Sequence, residues 1–184
     1  MKNPFFSPKF RNITISGRAA CGATTLSKAL VDKLNWTLIN AGELVRVYMK
    51  EKGIPLEFTG KTPDRYHRRL DNFIKEKLIK ENSLIAESWL SGFDAAGISG
   101  VFKIFVTCSD MAVRIDRVMN RDGLTLEQAK EHIKVREEEN LKKWETLYHT
   151  RDFWNPKLYD LVIDTYKLGP KETLEMALRA IEYK

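Results

Sequence analysis

The sequence predicts one α/β domain built on a parallel sheet of five strands, and three observations lead there. Short β-prone runs alternate with segments of helical periodicity along nearly the whole chain, the pattern that places helices on both faces of a parallel sheet. The first run stops at a glycine and opens into a helix, while the third ends in an acid. At 184 residues the chain supports one full core, and two domains would leave each half short of one.

The first strand spans 12–16 and stops at Gly17. Leu26, Ala29, Leu30 and Leu34 then mark one face of a helix. A second strand at 37–40 leads through Ala41 and Gly42 into a helix over about 43–52, closed by Gly53 and Pro55. After a loop at 54–63, a charged helix runs from 64 to 80 with Asp64 in its first turn. Strands follow at 83–87 and 102–107, separated by a loop containing Gly92, Gly97 and Gly100. Ser109 caps a helix over 110–120, and Thr125 with Gln128 forms a capping box for a long charged helix reaching Tyr148. The last strand is 161–164, and Gly169-Pro170 opens a helix turning Leu174, Leu178 and Ile181 inward. The core is thus 11–41, 82–119 and 158–184, with insertions at about 42–81 and 120–157 that read as lids.

A hydrophobic share of 43% beside 30% charged residues describes a globular chain, and no apolar run reaches the length that spans a bilayer. Met1 to Phe10 lacks the apolar block of a secretory signal, so a cytoplasmic protein is expected. Cys21 and Cys108 are too few for a disulfide framework and lack zinc-site spacing. His67, His132 and His149 show no ligand spacing and read as surface residues. A net charge of +6 fits a protein that handles phosphates and fits a nucleic-acid binder equally well.

Residues 17–25, Gly17-Arg18-Ala19-Ala20-Cys21-Gly22-Ala23-Thr24-Thr25, match the phosphate loop Gly-x-x-x-x-Gly-Lys-Ser/Thr at both glycines and the hydroxyl, and lack the lysine. The glycines let the backbone approach phosphate oxygens, which its N–H groups and the following helix N-terminus bind. Thr24 then sets its hydroxyl on Mg2+. Ala23 removes a cation that bridges the β- and γ-phosphates of ATP, a loss of about 100- to 1,000-fold in rate for one preorganised group. Replacement cations are sought first among the arginines downstream and then in Arg18, which otherwise faces solvent.

Arg46 lies one turn into the helix after the small-residue corner at Gly42, a grip for a monophosphate, although alone it reads as a surface arginine. Arg65, His67, Arg68, Arg69 and Asp71 add a polar cluster toward the same acceptor. Arg114, Arg117 and Arg121 share one helix stripe, and Arg136, Lys142 and Lys143 follow on the next helix, the composition of a clamp on a triphosphate. Glu87 ends the third strand beside the loop, where it would hold Mg2+ or its bound water. Asp164 ends the last strand as a plain turn cap.

These residues resemble the cytidylate kinase family, especially its short archaeal-type branch, from Asn12 to Ile181. The likeness rests on the loop 17–25, the corner Ala41-Gly42-Glu43-Leu44-Val45-Arg46, the stretch Glu87-Ser88-Trp89-Leu90-Ser91-Gly92-Phe93, Arg114 to Arg117 through Gly123, Arg136-Glu137-Glu138, and 159–165. It implies the P-loop NTPase fold of nucleoside monophosphate (NMP) kinases, with 42–81 as the NMP-binding insertion and 120–157 as the lid. On that resemblance Arg46 contacts the acceptor phosphate, and Arg117, Arg121 and Arg136 surround the transferring phosphoryl group. Ala23 departs from the family's loop lysine, and Trp89 stands where the family carries an arginine; its ring would stack on a base or ribose beside Gly92.

The function expected is ATP-dependent, Mg2+-assisted phosphorylation of a nucleoside monophosphate, CMP or dCMP on resemblance, by a cytoplasmic monomer. The alternative is a nucleotide-binding pseudokinase that acts through partner binding, motivated by the two departures. An RNA- or DNA-binding module rests on charge alone, since aromatic-basic signatures are missing.

Overall fold

The computed structural model describes residues 9–183; Lys184 and all of Met1 to Phe10 except the last two residues lie outside the described residues. Five strands, β1 (Asn12–Gly17), β2 (Thr37–Asn40), β3 (Leu84–Ser88), β4 (Val101–Thr107) and β5 (Leu161–Asp164), form one parallel sheet in the order β2-β3-β1-β4-β5. The helices are α1 (Ala23–Leu34), α2 (Ala41–Glu51), α3 (Asp64–Lys80), α4 (Ser91–Asp94), α5 (Met111–Asp122), α6 (Leu126–Tyr148) and α7 (Pro170–Ala180). Every strand and helix predicted is present. The short α4 and the 3-10 turns Leu56–Lys61 and Pro156–Leu158 are additions in stretches read as loop.

The boundaries that differ are set by capping side chains. Asn40 Oδ1 accepts from the Glu43 amide at 2.9 Å, so α2 starts at Ala41. Asp110, not Ser109, caps α5, accepting from Val113 N at 3.0 Å. The Ser109 amide instead donates to Asp164 Oδ1 at 3.0 Å, giving Asp164 the turn role expected of it. The capping box of α6 is formed as read, with Thr125 N donating to Gln128 Oε1 at 2.9 Å and Gln128 N to Thr125 Oγ1 at 3.3 Å.

The central strand β1 divides the core by chemistry. Ile13 and Ile15 face Leu26 and Leu30 of α1 and Ala177 of α7. Thr173 and Ala177 carry the buried face of α7 with Ile181, while Leu174 and Leu178 pack beside that core half-buried. On the other face Asn12, Thr14 and Ser16 are fully buried. Asn12 Nδ2 donates to the carbonyls of Leu78 at 2.9 Å and Glu81 at 2.8 Å, and its Oδ1 accepts from Leu84 N at 3.0 Å, fixing the end of α3 to the sheet. Ser16 Oγ accepts from Gly92 N at 2.7 Å, which draws α4 against β1.

Residues 42–81 and 120–157 are joined by side-chain hydrogen bonds. Lys143 on α6 donates to the carbonyls of Gly60, at 3.1 Å, and Thr62, and Asn140 donates to Thr59. Trp144 and Tyr148 of α6 pack with Trp89, Phe93, Phe153 and Trp154, most of these rings edge to face. His67 is a correction to the surface reading: it is buried and bonded to the Thr62 hydroxyl. Burial and then Lys143 bring its imidazole down to about 4, so it sits neutral in this joint.

Asn12→Ala leaves three backbone groups, two of them buried, without this partner, and urea denaturation is expected to show a loss of about 2–3 kcal/mol.

Candidate active site

The loop from β1 into α1 owes its shape to one residue without a side chain and to donors that hold it from behind. A Cβ at Gly17 would stand 2.8 Å from the Val106 carbonyl oxygen, so only glycine lets β1 pass. Gly22 has φ 98°, a left-handed conformation, and no side chain caps the α1 amides. The carbonyls of Ala19, Ala20 and Cys21 accept from Arg114 Nε at 2.9 Å, Arg117 Nη1 at 3.1 Å and Thr165 Oγ1 at 2.7 Å. A trans peptide carries its N–H opposite its C=O, so the amides of Ala20 and Gly22 point away from those donors. The Ala23 and Cys21 side chains are buried in the core. Burial pushes the Cys21 thiol up to about 12 and keeps it inert.

A cavity of about 680 Å³ opens from this loop, and it brings together most of the predicted residues: 17–25, Gly42, Arg46, Glu87, Trp89, Arg117, Arg121 and Arg136. The cations differ in how they are held. Arg117 uses Nη1 and Nη2 on Thr165, at 2.9 and 3.0 Å, besides Ala20. Arg121 is bidentate to Asp122 at 2.8 and 2.6 Å. Arg18, expected toward solvent, pairs with Glu137 and lies 5.2 Å from the centre of the Trp154 ring. Arg114 leaves the predicted stripe: it is buried on the second oxygen of Glu137. Arg46 is exposed and makes no hydrogen bond or ion pair among the described residues.

Arg136 is 6% exposed, and its Nε has no hydrogen-bond partner. Its guanidinium lies 5.1 Å from the centre of the Trp89 ring, a cation-π contact that orients the charge without neutralising it. Burial, then repulsion from Arg46 and Arg121, brings its pKa down to about 10, so it stays cationic at neutral pH. A buried cation without a carboxylate is costly. An anion entering the cavity relieves that cost.

Glu87 accepts from the Thr24 hydroxyl at 3.2 Å through Oε1, and its buried Oε2 has no partner. Burial raises its pKa, opposed by Thr24, Arg46, Arg136 and Lys28. A hydroxyl and a carboxylate with an unused oxygen are hard donors that fit Mg2+.

A second cavity of about 70 Å³ is lined by Gly42, Trp89, Arg136, Asp71 and Trp144 among others, so Trp89 borders both spaces. Asp71 accepts from Tyr148 through Oδ2. Gly92 does not reach either cavity. It lies behind the sheet, where a Cβ would stand 2.9 Å from Tyr159 Cδ1, so packing explains this glycine. Behind Asp71, Asp94 is pushed up to about 7 by burial and then by Asp71, with the Lys75 ammonium at 3.5 Å and Tyr148 also near.

Sequence reasoning missed Lys28, which lines the larger cavity. Its place four residues after Thr24, on the same helix face, was the available signal. Glu137, quoted only within the resembling stretch, was given no role, because its partners Arg18 and Arg114 lie 119 and 23 residues away, a distance at which no local pattern speaks.

A glycine loop between the central strand and α1, opening on a cation-lined cavity at the sheet's C-terminal edge, defines the P-loop kinase fold. The same fold recurs in an uncharacterized protein from Eubacterium ventriosum, with TM-score 0.71 and 18% identity over 95% of this chain and 99% of that one. A gluconokinase from Sinorhizobium meliloti gives TM-score 0.62 at 14% identity over 96% and 94%. Residues 59–167 match the cytidylate kinase-like family. The chain is 32% identical over 173 residues to a cytidylate kinase of Haloarcula marismortui, covering 92% of this chain and 88% of the relative. It is 31% identical over 177 residues to a cytidylate kinase of Archaeoglobus fulgidus, covering 94% and 95%. This chain belongs to the cytidylate kinase-like family.

Because the Asp94 pKa is raised, the folded state holds that proton more tightly than the unfolded chain. The stabilisation is complete below pH about 4 and is lost as pH rises through about 7. Asp94→Asn is expected to match the wild type at pH 4 and to exceed it by on the order of 1–3 kcal/mol at pH 8, read by denaturant titration at both pH values.

Proposed function

We propose that this nucleoside monophosphate kinase transfers the γ-phosphoryl group of ATP, as its Mg2+ complex, to CMP or dCMP. The observation that carries this reading is the unpaired guanidinium of Arg136, buried between the phosphate-loop cavity and the smaller acceptor-side space. A site at which the donor phosphates and an acceptor phosphate meet is the use of such a charge that best fits the fold.

The loop amides and the α1 N-terminus take the donor phosphates, while Thr24 and Glu87 hold the metal ion. Bound there, Mg2+ neutralises charge on the phosphates. Arg46, one turn into α2, takes the acceptor phosphate. Arg121 and Arg136 face the phosphoryl group in transit, and Arg117 holds the loop as well as lining the site. The acceptor attacks in line, the bond to the leaving ADP oxygen breaks, and no covalent enzyme intermediate forms.

The insertion 42–81 forms the acceptor side and 120–157 the lid. Asp71 Oδ1 is left to accept from an exocyclic amino group, which suits cytosine and disfavours uracil, whose carbonyl would meet another acceptor. Trp89, committed to Arg136 and to Trp144 and Trp154, acts in the acceptor site mainly through the cation it orients. No helix among the described residues is long and apolar enough to cross a membrane; a monomer working in the cytoplasm completes the reading. The long match to chains named as kinases leaves an inactive nucleotide-binding scaffold without support.

A coupled assay with each common monophosphate is expected to show the fastest ADP release with CMP or dCMP. If none accelerates ATP turnover while the folded protein binds ATP, the proposal fails. Arg46→Ala should raise the acceptor KM with ATP affinity unchanged. Glu87→Gln should lower kcat by about 100-fold at saturating Mg2+, as expected when one preorganised charged group is removed.

A further inference from the structure

The loss of lysine at position 23 leaves a transferring phosphoryl group short of one positive charge, and the structure limits where a replacement stands. Six cations line the larger cavity: Arg18, Lys28, Arg46, Arg117, Arg121 and Arg136. Arg18 is committed to Glu137, Arg117 to the loop carbonyl and Thr165, and Arg121 to Asp122, while Arg136 rests on the Trp89 ring and borders the smaller cavity as well. Lys28 and Arg46 alone among the six make no hydrogen bond, ion pair or ring contact among the described residues. Arg46 belongs to the acceptor side, on α2.

Lys28 stands on α1, the helix whose first turn carries Ala23 and Thr24. It lies one turn beyond Thr24 on the same face, about 6 Å along the axis at 1.5 Å per residue. Helical side chains lean toward the helix N-terminus, and a four-carbon stem is long enough to span that rise toward Thr24. Lys28 stands close enough to Glu87 for its charge to act on that carboxyl.

Resting on the kinase reading above, we infer that Lys28 supplies, from one turn further along α1, the phosphate-bridging cation that the loop lacks at position 23. As the acceptor oxygen bonds to the γ-phosphorus and the bond to the β-γ bridging oxygen breaks, negative charge gathers on the departing ADP. The Lys28 ammonium donates to those oxygens, and its contribution is larger in the transition state than in bound ATP.

The test compares Lys28→Met, Ala23→Lys and the double variant in the full chain. Lys28 is exposed, so the methionine leaves the core intact, and thermal melting checks this. Lys28→Met is expected to lower kcat by about 100-fold with the acceptor KM unchanged, and Ala23→Lys to restore the double variant to within about tenfold of wild type. Turnover of Lys28→Met within about threefold of wild type overturns the inference. So does a fall that Ala23→Lys leaves untouched, which assigns Lys28 a structural part. Should the wild type turn over no monophosphate, the kinase reading fails separately, and calorimetry with Mg2+ and ATP decides: about tenfold weaker binding by Lys28→Met supports the role in holding phosphate, and equal binding overturns it.

Discussion

Arg136 enters the interior from α6 with its charge intact, and the Trp89 ring is its one aromatic support. Taking a guanidinium out of water costs several kcal/mol when no carboxylate receives it, and Arg46 and Arg121 add repulsion. The adjacent residue, Glu137, is spent elsewhere, on Arg18 of the phosphate loop and Arg114 of α5. One turn of α6 therefore delivers a satisfied carboxylate to the loop's outer side and an unsatisfied cation to the cavity. The asymmetry makes anion binding the step that completes the electrostatics of the site.

The same turn ties donor and acceptor machinery together. Arg114 and Arg117 of α5 hold the carbonyls of Ala19 and Ala20, so the orientation of the loop amides depends on α5 and on the α6 packed against it. On the other side α6 is bonded to the 3-10 turn Leu56–Lys61 through Lys143 and Asn140. A displacement of α6 would therefore act on the loop and on the acceptor wall at once. That coupling is what a phosphotransferase needs to exclude water as an alternative acceptor.

Much of this was legible because the signals are local. The bounds of α3, set by Pro63 and the charged run after it, and the capping box of α6 follow from neighbouring residues, and the parallel sheet follows from alternation, whereas the order of its strands does not. The glycines and Thr24 announce the loop. Contacts made across the fold had no such signal. His67 looked like one more polar group on a charged helix, yet the Thr62 hydroxyl and Lys143 enclose it. Gly92 matched a site stretch by position, and only the packing of Tyr159 and Ser16 shows what excludes a side chain there. The arginine stripe on α5 was correctly spaced, but the three residues have three fates because Ala19, Thr165 and Asp122 each offer a different partner.

The two departures from the resembled pattern, Ala23 and Trp89, act in the same direction. Against that pattern each sets a neutral side chain where a positive charge is expected, in a cavity lined by six cations. A guanidinium in place of the Trp89 ring, about 5 Å from Arg136, would repel it by about 3 kcal/mol at an effective dielectric constant of 20, whereas the indole face attracts the same charge. The indole thus keeps Arg136 charged and oriented with fewer counter-charges nearby, and it leaves the remaining cations free to answer to phosphate instead of to one another. The methyl group at position 23 and the ring at position 89 thus have the same electrostatic effect, since neither adds a cation to the cavity and those present are less opposed.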